Sequence, residues 1–200
     1  MKKIALSLIL ALGLAQANCS FSQPSEVDVT WKAFKTPLKK GVGGHFKQVN
    51  FTSSVKSSKS LDTLLAGSTV NIEVASVDSK NPGRDVKLLN SFFKQMVGPD
   101  IKAKIVSLKR DKDARKTGIV TISVTMNGVT KDVPMYYSFS NGELTANGVI
   151  DLIDFKATKA LQSINKACYA LHQGKTWSDV TIGFKMKIAA SCPQPIKGHQ

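Results

Sequence analysis

The residue types that most often carry catalysis or bind metals are sparse in this chain of 200 residues. The three histidines, His45, His172 and His199, have no carboxylate or cysteine at the spacing of a metal site. No glycine-rich phosphate loop precedes a helical pattern, and no serine lies in a nucleophile elbow. The run "GVGG" at 41–44 leads into the predicted strand "HFKQVNF" and not into a helix, which indicates a bulge or bend in a strand and not a phosphate cradle. We therefore expect a protein that is not an enzyme and that uses neither a metal nor a cofactor.

Arg84 is a charged residue whose type and position indicate a specific role. The chain uses Lys 25 times and Arg three times, and Arg84 follows Pro82 and Gly83 and stands beside Asp85. A guanidinium group offers a planar fork of donors that can bind a carboxylate or several carbonyl oxygens at once. Two interpretations follow: a structural clasp through Asp78 or Asp85, or a contact with the polar headgroup of a ligand.

The three cysteines, Cys19, Cys168 and Cys192, are too few for a disulfide framework, and their odd number leaves at least one unpaired. Cys168 lies on the apolar stripe of a predicted helix, so we expect its thiol to be buried and inert. Cys19 and Cys192 flank the first and last predicted strands. Neighbouring antiparallel end strands would bring them together, and we predict a disulfide between them.

The first 17 residues, "MKKIALSLILALGLAQA", combine two lysines, an apolar run too short to span a bilayer and a small-x-small end. This order predicts a signal peptide over residues 1–17, export to the periplasm and a single mature domain over residues 18–200. A lipid anchor on Cys19 is the alternative. Residues 16–18, "QAN", fit poorly the small apolar residues that such processing requires.

The charge of the chain is strongly positive. The net charge is +14, and it becomes +12 when Lys2 and Lys3 leave with the signal peptide. Export and the lack of an arginine-and-aromatic cluster argue against a nucleic-acid partner. The charge therefore indicates either a solvated basic surface or a surface attracted to anionic lipid headgroups.

Alternation of apolar and polar residues is the main structural signal in the chain. It predicts strands near residues 27–34, 43–51, 69–77, 101–109, 117–127, 130–140, 143–151 and 178–190. Asn127-Gly128 and Asn141-Gly142 have the composition of type I′ hairpin turns. Eight mostly antiparallel strands, each with one apolar face, predict an all-β fold that closes into a barrel.

Two helices interrupt the predicted strands. The first, at about 84–96, carries an apolar stripe that we expect to cover one end of the barrel: Leu88, Leu89, Phe92, Phe93 and Met96. The second, at about 156–171 and capped by Asp154, presents an apolar stripe of its own. The polar segment Ser53–Ser60 has little periodicity and is predicted to be a loop.

Four segments, taken in order, resemble the YceI-like family of exported bacterial proteins: "VDVTWKAFKTPLKKGVGGHF", "NPGRDVKLLNSFF", "PDIKAKI" and "NGVTKDVPMYYSFSNGELTANGVIDL". The Arg-Asp-x-x-Leu step followed by Phe-Phe and a Pro-x-Ile strand is the most specific part. The resemblance spans nearly the whole mature chain. It implies a lipocalin-like, eight-stranded antiparallel barrel whose elongated cavity binds a polyisoprenoid or another long-chain amphiphile in the periplasm. At Thr36-Pro37-Leu38 the chain differs from many members, which have a histidine-containing segment there.

The inward-facing residues of such a barrel would form the wall of a ligand cavity. Twelve residues are expected in this wall, Phe92 and Phe93 from the helix stripe and the others from strand alternation: Trp31, Phe46, Phe51, Phe92, Phe93, Val124, Met126, Tyr137, Phe139, Ile182, Phe184 and Met186. Arg84 is the candidate for contact with a headgroup, and an anionic membrane surface is a second possible partner. A barrel filled by its own side chains, acting as a structural or stress-response interaction protein without a ligand, is the alternative function. The oligomeric state is left open, a dimer included.

Overall fold

A computed structural model of the protein describes residues 19–22, 26–112 and 116–191. The first half of this region contains β1 (Ser20–Ser22), β2 (Val27–Lys35), β3 (Lys40–Phe46), β4 (Val49–Thr52), β5 (Ser57–Ser58), β6 (Thr69–Glu73), β7 (Val77–Asp78) and β8 (Asp100–Arg110). The second half contains β9 (Thr117–Met126), β10 (Val129–Ser140), β11 (Glu143–Asp151), β12 (Thr176–Lys187) and β13 (Ala189–Ser191). The helices are α1 (Leu61–Leu65), α2 (Pro82–Ser91), α3 (Thr158–Ala167) and α4 (Tyr169–His172), with 3₁₀ turns at Val74–Ser76 and Phe93–Gln95.

Ten strands form one antiparallel sheet in the order β4-β6-β8-β9-β10-β11-β12-β2-β3-β7. Its two edge strands are continuations of others, because β4 follows β3 after two residues and β7 follows β6 after the turn at Val74–Ser76. Since β4 pairs with β6 while β3 pairs with β7, the two ends of the sheet meet. Counting each bent pair as one strand gives eight strands. The predicted all-β, lipocalin-like barrel is therefore confirmed, although two of its strands are broken by bends.

The local sequence accounts for the strands and their hairpins. Residues of β9 alternate strictly between half-buried and buried positions, as its apolar-polar alternation predicts. Asn127 and Asn141 have φ angles of 53° and 52°, and the glycines after them have φ angles of 72° and 75°. Positive φ at both central residues defines the type I′ turn, so both predicted hairpins are confirmed.

One end of the barrel is closed by α1 and a small three-stranded sheet, β13-β1-β5. Leu64 and Leu65 of α1 are fully buried in the core. The Phe21 ring of β1 packs edge-on against Phe139, with ring centroids 6.0 Å apart. The predicted loop Ser53–Ser60 contains β5, whose two serines pair with β1, so this prediction was wrong for two residues.

The other end of the barrel is covered by helices. The helix predicted at about 84–96 begins earlier, at Pro82, because the Asn81 side chain caps it by accepting a hydrogen bond from the backbone N–H of Arg84 at 2.9 Å. It ends at Ser91, and a 3₁₀ turn follows.

The helix predicted at about 156–171 is divided into α3 and α4 at Cys168. The predicted cap by Asp154 is wrong, because the chain turns through residues 152–157 and the N-cap position falls on Ala157. Lys156 in this turn has a φ of 54°, so the helix begins only after it.

The cysteines and the N-terminal segment are described in part. Cys168 is free and buried, as predicted. Cys19 is disulfide-bonded, and the next residue, Ser20, pairs with Ser191 in antiparallel register. Cys192 and residues 1–17 lie outside the described residues, so the Cys19–Cys192 pairing and the signal peptide stay predictions. In the part of the chain that the structure describes, none of the helices has the length and apolar character needed to cross a membrane.

Candidate functional site

The barrel interior is hollow and encloses a cavity of about 530 Å³. This volume lies within the range of small-molecule binding sites, roughly 300–1,000 Å³. The wall is mostly apolar and is built by the inner face of the sheet together with α2, α3 and α4. A barrel packed solid with its own side chains, the alternative raised by the sequence, does not match this interior.

Nine of the twelve predicted wall residues line the cavity: Trp31, Phe46, Phe92, Phe93, Val124, Met126, Ile182, Phe184 and Met186. The structure places the other three elsewhere. Tyr137 and Phe139 face inward at the closed end of the barrel, where Phe139 packs on Phe21 and Tyr137 is buried in the core. Phe51 packs against the core from β4. Alternation therefore identified the inner face correctly but not the height of each residue along the barrel axis.

Several wall residues were missed by sequence reasoning. They come from α3, α4 and the start of β12: Leu161, Ile164, Cys168, Leu171, Thr176 and Trp177. The apolar stripe of the second helix was visible in the sequence, but the pattern does not show what a stripe packs against. The stripe faces the cavity because α3 packs beside α2 over the same end of the barrel.

Together α2, the following 3₁₀ turn and α3 form a lid over the cavity. Phe93 packs edge-on against Phe92 and Phe46, with ring centroids 5.1 Å and 6.1 Å apart. Asn127 fastens the lid, because its amide donates to the Phe155 carbonyl oxygen at 2.9 Å and its Oδ1 accepts from the Val97 N–H at 2.8 Å. Every residue of α2 remains at least partly exposed; Leu88 and Leu89 pack against a small buried cluster that includes Phe46 and Phe93, and Leu88 also lines the cavity.

Trp31 brings a polar atom into this apolar wall. Its indole Nε1 is buried and lacks a hydrogen-bond partner among the described residues. Leaving a buried donor unsatisfied costs about 1–3 kcal/mol. Gly44, opposite Trp31 on β3, leaves room for the ring, since a Cβ there would lie 2.7 Å from Trp31 Cζ2. A ligand atom able to accept a hydrogen bond would remove this cost.

Three basic residues line the cavity at its helix-covered end, which we call the mouth. Arg84 and Lys87 reach it from α2, and Lys35 reaches it from β2. Arg84 Nη1 donates a long hydrogen bond, 3.4 Å, to the Ser79 carbonyl oxygen. Among the described residues Arg84 forms no ion pair with Asp78 or Asp85; its contact at the helix start is with the Ser79 carbonyl oxygen, and both interpretations of its role stay predictions.

Both of those carboxylates have other partners. Asp85 accepts hydrogen bonds from the backbone N–H and the hydroxyl of Ser79. Asp78 accepts from the Lys80 N–H at 2.8 Å and from its ammonium at 3.1 Å, and Lys47 lies 3.3 Å away. These contacts, the Lys80 hydrogen bonds foremost, hold the pKa of Asp78 well below its usual range. Within the described ranges, neither carboxylate forms an ion pair with Arg84, which lines the cavity.

His172 also lines the mouth, and its tautomer follows from its hydrogen bonds. The Asn165 amide nitrogen donates to the Gly174 carbonyl oxygen, and its Oδ1 accepts from the Thr176 hydroxyl at 2.9 Å. Thr176 Oγ1 then accepts from the N–H at His172 Nδ1, 2.7 Å away. Burial lowers the pKa of His172, and the charges of Lys35 and Lys87 lower it further. The imidazole is thus neutral at pH 7.

Among the residues that the structure describes, no group of three or more His, Cys, Asp or Glu side chains is placed to hold a metal ion. The fold brings nine of the predicted wall residues and Arg84 together around one cavity, which His172 also lines. What the arrangement can do chemically is enclose an apolar chain and hold a polar group at the lidded end.

An eight-stranded antiparallel barrel with an apolar interior is typical of the lipocalin-like class of folds. The chain belongs to the family of the YceI-like domain, whose model matches residues 22–189. No curated protein matches the chain significantly.

Three solved structures share the fold. A polyisoprenoid binding domain from Saccharophagus degradans, implicated in plant cell wall breakdown, has a TM-score of 0.58 at 10% identity over 88% of this chain and 99% of that one. BcnA of Burkholderia cenocepacia has a TM-score of 0.56 at 16% identity over 84% and 99%. The YceI protein of Campylobacter jejuni has a TM-score of 0.52 at 22% identity over 78% and 87%. Identities this low establish the common fold and no more.

Proposed function

We propose that this protein is a periplasmic, non-catalytic carrier that holds a polyisoprenoid or another long-chain amphiphilic lipid in its barrel. The observation that carries the proposal is the apolar cavity of about 530 Å³ beneath the helical lid. An unfilled apolar cavity of this size lacks the van der Waals contacts of a packed core. A bound lipid chain would restore these contacts.

Burial of hydrocarbon alone can supply the affinity. Each buried methylene contributes about 0.8 kcal/mol, so a chain of about 15 carbons gains about 12 kcal/mol before ordering costs are subtracted. A polar site is therefore unnecessary for tight binding, and the few polar groups in the wall serve orientation.

The polar end of the lipid lies at the mouth in this proposal. Arg84, Lys87 and Lys35 line the mouth and carry positive charge there. An anionic headgroup, a carboxylate or a phosphate, matches this charge and the donor fork of Arg84. The chain then extends past Trp31, whose unpaired indole N–H can donate to an oxygen of the ligand.

Three further observations support the proposal. The Saccharophagus degradans domain of the same fold is described as polyisoprenoid binding. The first 17 residues have the charge, apolar run and cleavage site of a signal peptide, which supports export to the periplasm. Absence of a nucleophile paired with a base in the sequence supports a carrier over an enzyme.

Mass spectrometry of an organic extract tests the proposal. The protein is purified from the periplasm of its native host without detergent, and a similarly sized periplasmic protein from the same cells is extracted as the control. We expect one class of long-chain amphiphile, near one equivalent per protein, that is missing from the control. A protein that contains no such lipid and takes up no fluorescent long-chain analogue after delipidation would overturn the carrier function.

A further inference from the structure

A fully exposed leucine stands at the turn between β2 and β3. Leu38 is 91% exposed, although its neighbours in the turn are firmly held. The Thr36 N–H donates to the Lys175 carbonyl oxygen at 2.9 Å, and the Trp177 indole N–H donates to the Thr36 carbonyl oxygen at 2.8 Å. Thr36 itself is buried. The fold therefore projects Leu38 outward on a fixed support.

Lysines surround this leucine. Lys39 and Lys40 follow it directly, and Lys35 precedes the turn. The ammonium groups of Lys39 and Lys175 both lie over the Trp177 ring, 4.9 Å and 4.6 Å from its centroid. We call this surface, Lys35, Leu38, Lys39, Lys40 and Lys175, the basic tip.

One carboxylate offsets part of the charge of the basic tip. Asp179 forms an ion pair with Lys39, with the Nζ and Oδ2 atoms 2.8 Å apart. The remaining lysines of the tip leave it with a surplus of positive charge around an exposed apolar side chain. This combination matches the headgroup region of an anionic bilayer, where lysines meet lipid phosphates and an apolar side chain enters the acyl boundary.

The basic tip adjoins the mouth of the cavity. Phe34, Lys35 and Trp177, which support the tip, also line the cavity. Leu171 of α4 lines it as well and is 60% exposed. Contact of the tip with a membrane would thus bring the open side of the cavity to the lipid surface.

We infer that the basic tip docks this protein on the surface of an anionic lipid bilayer with the cavity mouth facing the lipid. Docking itself requires only Leu38 and the lysines and goes beyond the carrier function. The role we assign to docking is the direct passage of a lipid between the bilayer and the barrel, and this role rests on the proposed function. A protein that docks but binds no lipid in its cavity would refute the carrier function alone.

Vesicle co-sedimentation tests the docking. The purified protein is mixed at low ionic strength with vesicles of phosphatidylcholine alone or with an equal share of phosphatidylglycerol. We expect binding to the anionic vesicles only, lowered about tenfold by Leu38→Asp and by Lys40→Glu, and weakened by added salt. Thermal unfolding of each variant confirms that it is folded, which is expected because both side chains are exposed.

Matched control variants distinguish an effect specific to the basic tip from a general effect of changing the net charge. Val149→Asp makes the same change at a residue 59% exposed on the outer face of β11, and Lys109→Glu makes the same change at the far end of β8. Both controls should bind anionic vesicles within about twofold of the wild type, since neither side chain belongs to the basic tip. Equal loss in the controls, no preference for anionic vesicles, or unchanged binding of Leu38→Asp would each overturn the inference.

A second measurement reports insertion directly. A Leu38→Cys variant is labelled with an environment-sensitive fluorophore under native conditions, where Cys168 is buried and Cys19 is disulfide-bonded. We expect a blue shift and a rise in fluorescence with anionic vesicles, and little change for a fluorophore placed by Val149→Cys. If the labelled protein binds anionic vesicles but the emission of the fluorophore at position 38 does not change, insertion of the basic tip is contradicted.

Discussion

The indole N–H of Trp177 donates a 2.8 Å hydrogen bond to the carbonyl oxygen of Thr36, 141 positions earlier in the chain. This bond joins the start of β12 to the turn between β2 and β3. Thr36 and Lys39 in that turn have φ angles of 63° and 54°, so the backbone is held in a conformation that L-residues rarely adopt. One side chain thereby supports both the mouth of the cavity and the exposed turn beside it.

Replacing Trp177 with Phe should loosen this turn. We expect the free energy of unfolding to fall by about 1 kcal/mol, since one hydrogen bond is lost and the ring is largely kept. Hydrogen exchange should become faster in peptides that cover residues 34–40, and it should stay unchanged in the hairpin around Asn141. Unchanged exchange at residues 34–40 would show that the turn is held by its other contacts.

Truncating a wall residue should change the chain length that the cavity prefers. Phe184→Ala removes a ring from the wall, and we expect the best-bound chain to become longer by a few carbons because the space is extended. Competition between a fluorescent long-chain analogue and amphiphiles of graded length measures the preference. Phe139→Ala, which changes an aromatic residue at the closed end outside the wall, is the control and should leave the preference where it is.

Removing Arg84 should weaken the binding of anionic amphiphiles selectively. For Arg84→Ala we expect about tenfold weaker binding of a carboxylate-headed chain, since a charge-assisted hydrogen bond is lost at the mouth. Binding of an alcohol with the same chain should change little, and Lys109→Ala should affect neither. Equal losses for the acid and the alcohol would place Arg84 in a structural role.

His172 should make stability depend on pH. Burial, assisted by Lys35 and Lys87, lowers the pKa of this imidazole in the folded state, so protonation favours the unfolded state. The stability that the neutral ring provides is complete above its ordinary pKa of about 6.5 and is lost as the pH falls below that value. Between about pH 7 and pH 5 the wild type should therefore lose more free energy of unfolding than His172→Gln. Parallel denaturant curves across this range would contradict the prediction.

Alkylation should distinguish the three cysteines. Without reduction, we expect the unfolded protein to take up one label, at Cys168, because Cys19 is disulfide-bonded and we predict Cys192 as its partner. The native protein should take up none, since Cys168 is buried. Peptide mapping assigns the label, and a labelled Cys192 in the oxidised, unfolded protein would show that the predicted pairing is wrong.

The sequence by itself determined the eight strands of the barrel, their inner faces and two of the hairpins, but not the small sheet β13-β1-β5. In β9, each residue's face follows from its parity, because side chains alternate across a strand with a period of two. Asn127 and Asn141 mark turns because positive φ is a local preference of Asn-Gly pairs. These properties depend on residues only a few positions apart, so the local sequence is enough to predict them.

Only the tertiary structure decided which inward residues meet the cavity and which close the barrel. Alternation along their strands places both Phe184 and Tyr137 on the inner face of the barrel. Phe184 lines the cavity, whereas Tyr137 is buried at the closed end. Their heights depend on strand register and on the pairing of β4 with β6 across the closure. The gathering of Arg84, Lys35 and Trp177 at one mouth likewise requires elements far apart in the chain to pack together. Long-range pairing sets these positions, and no local pattern encodes it.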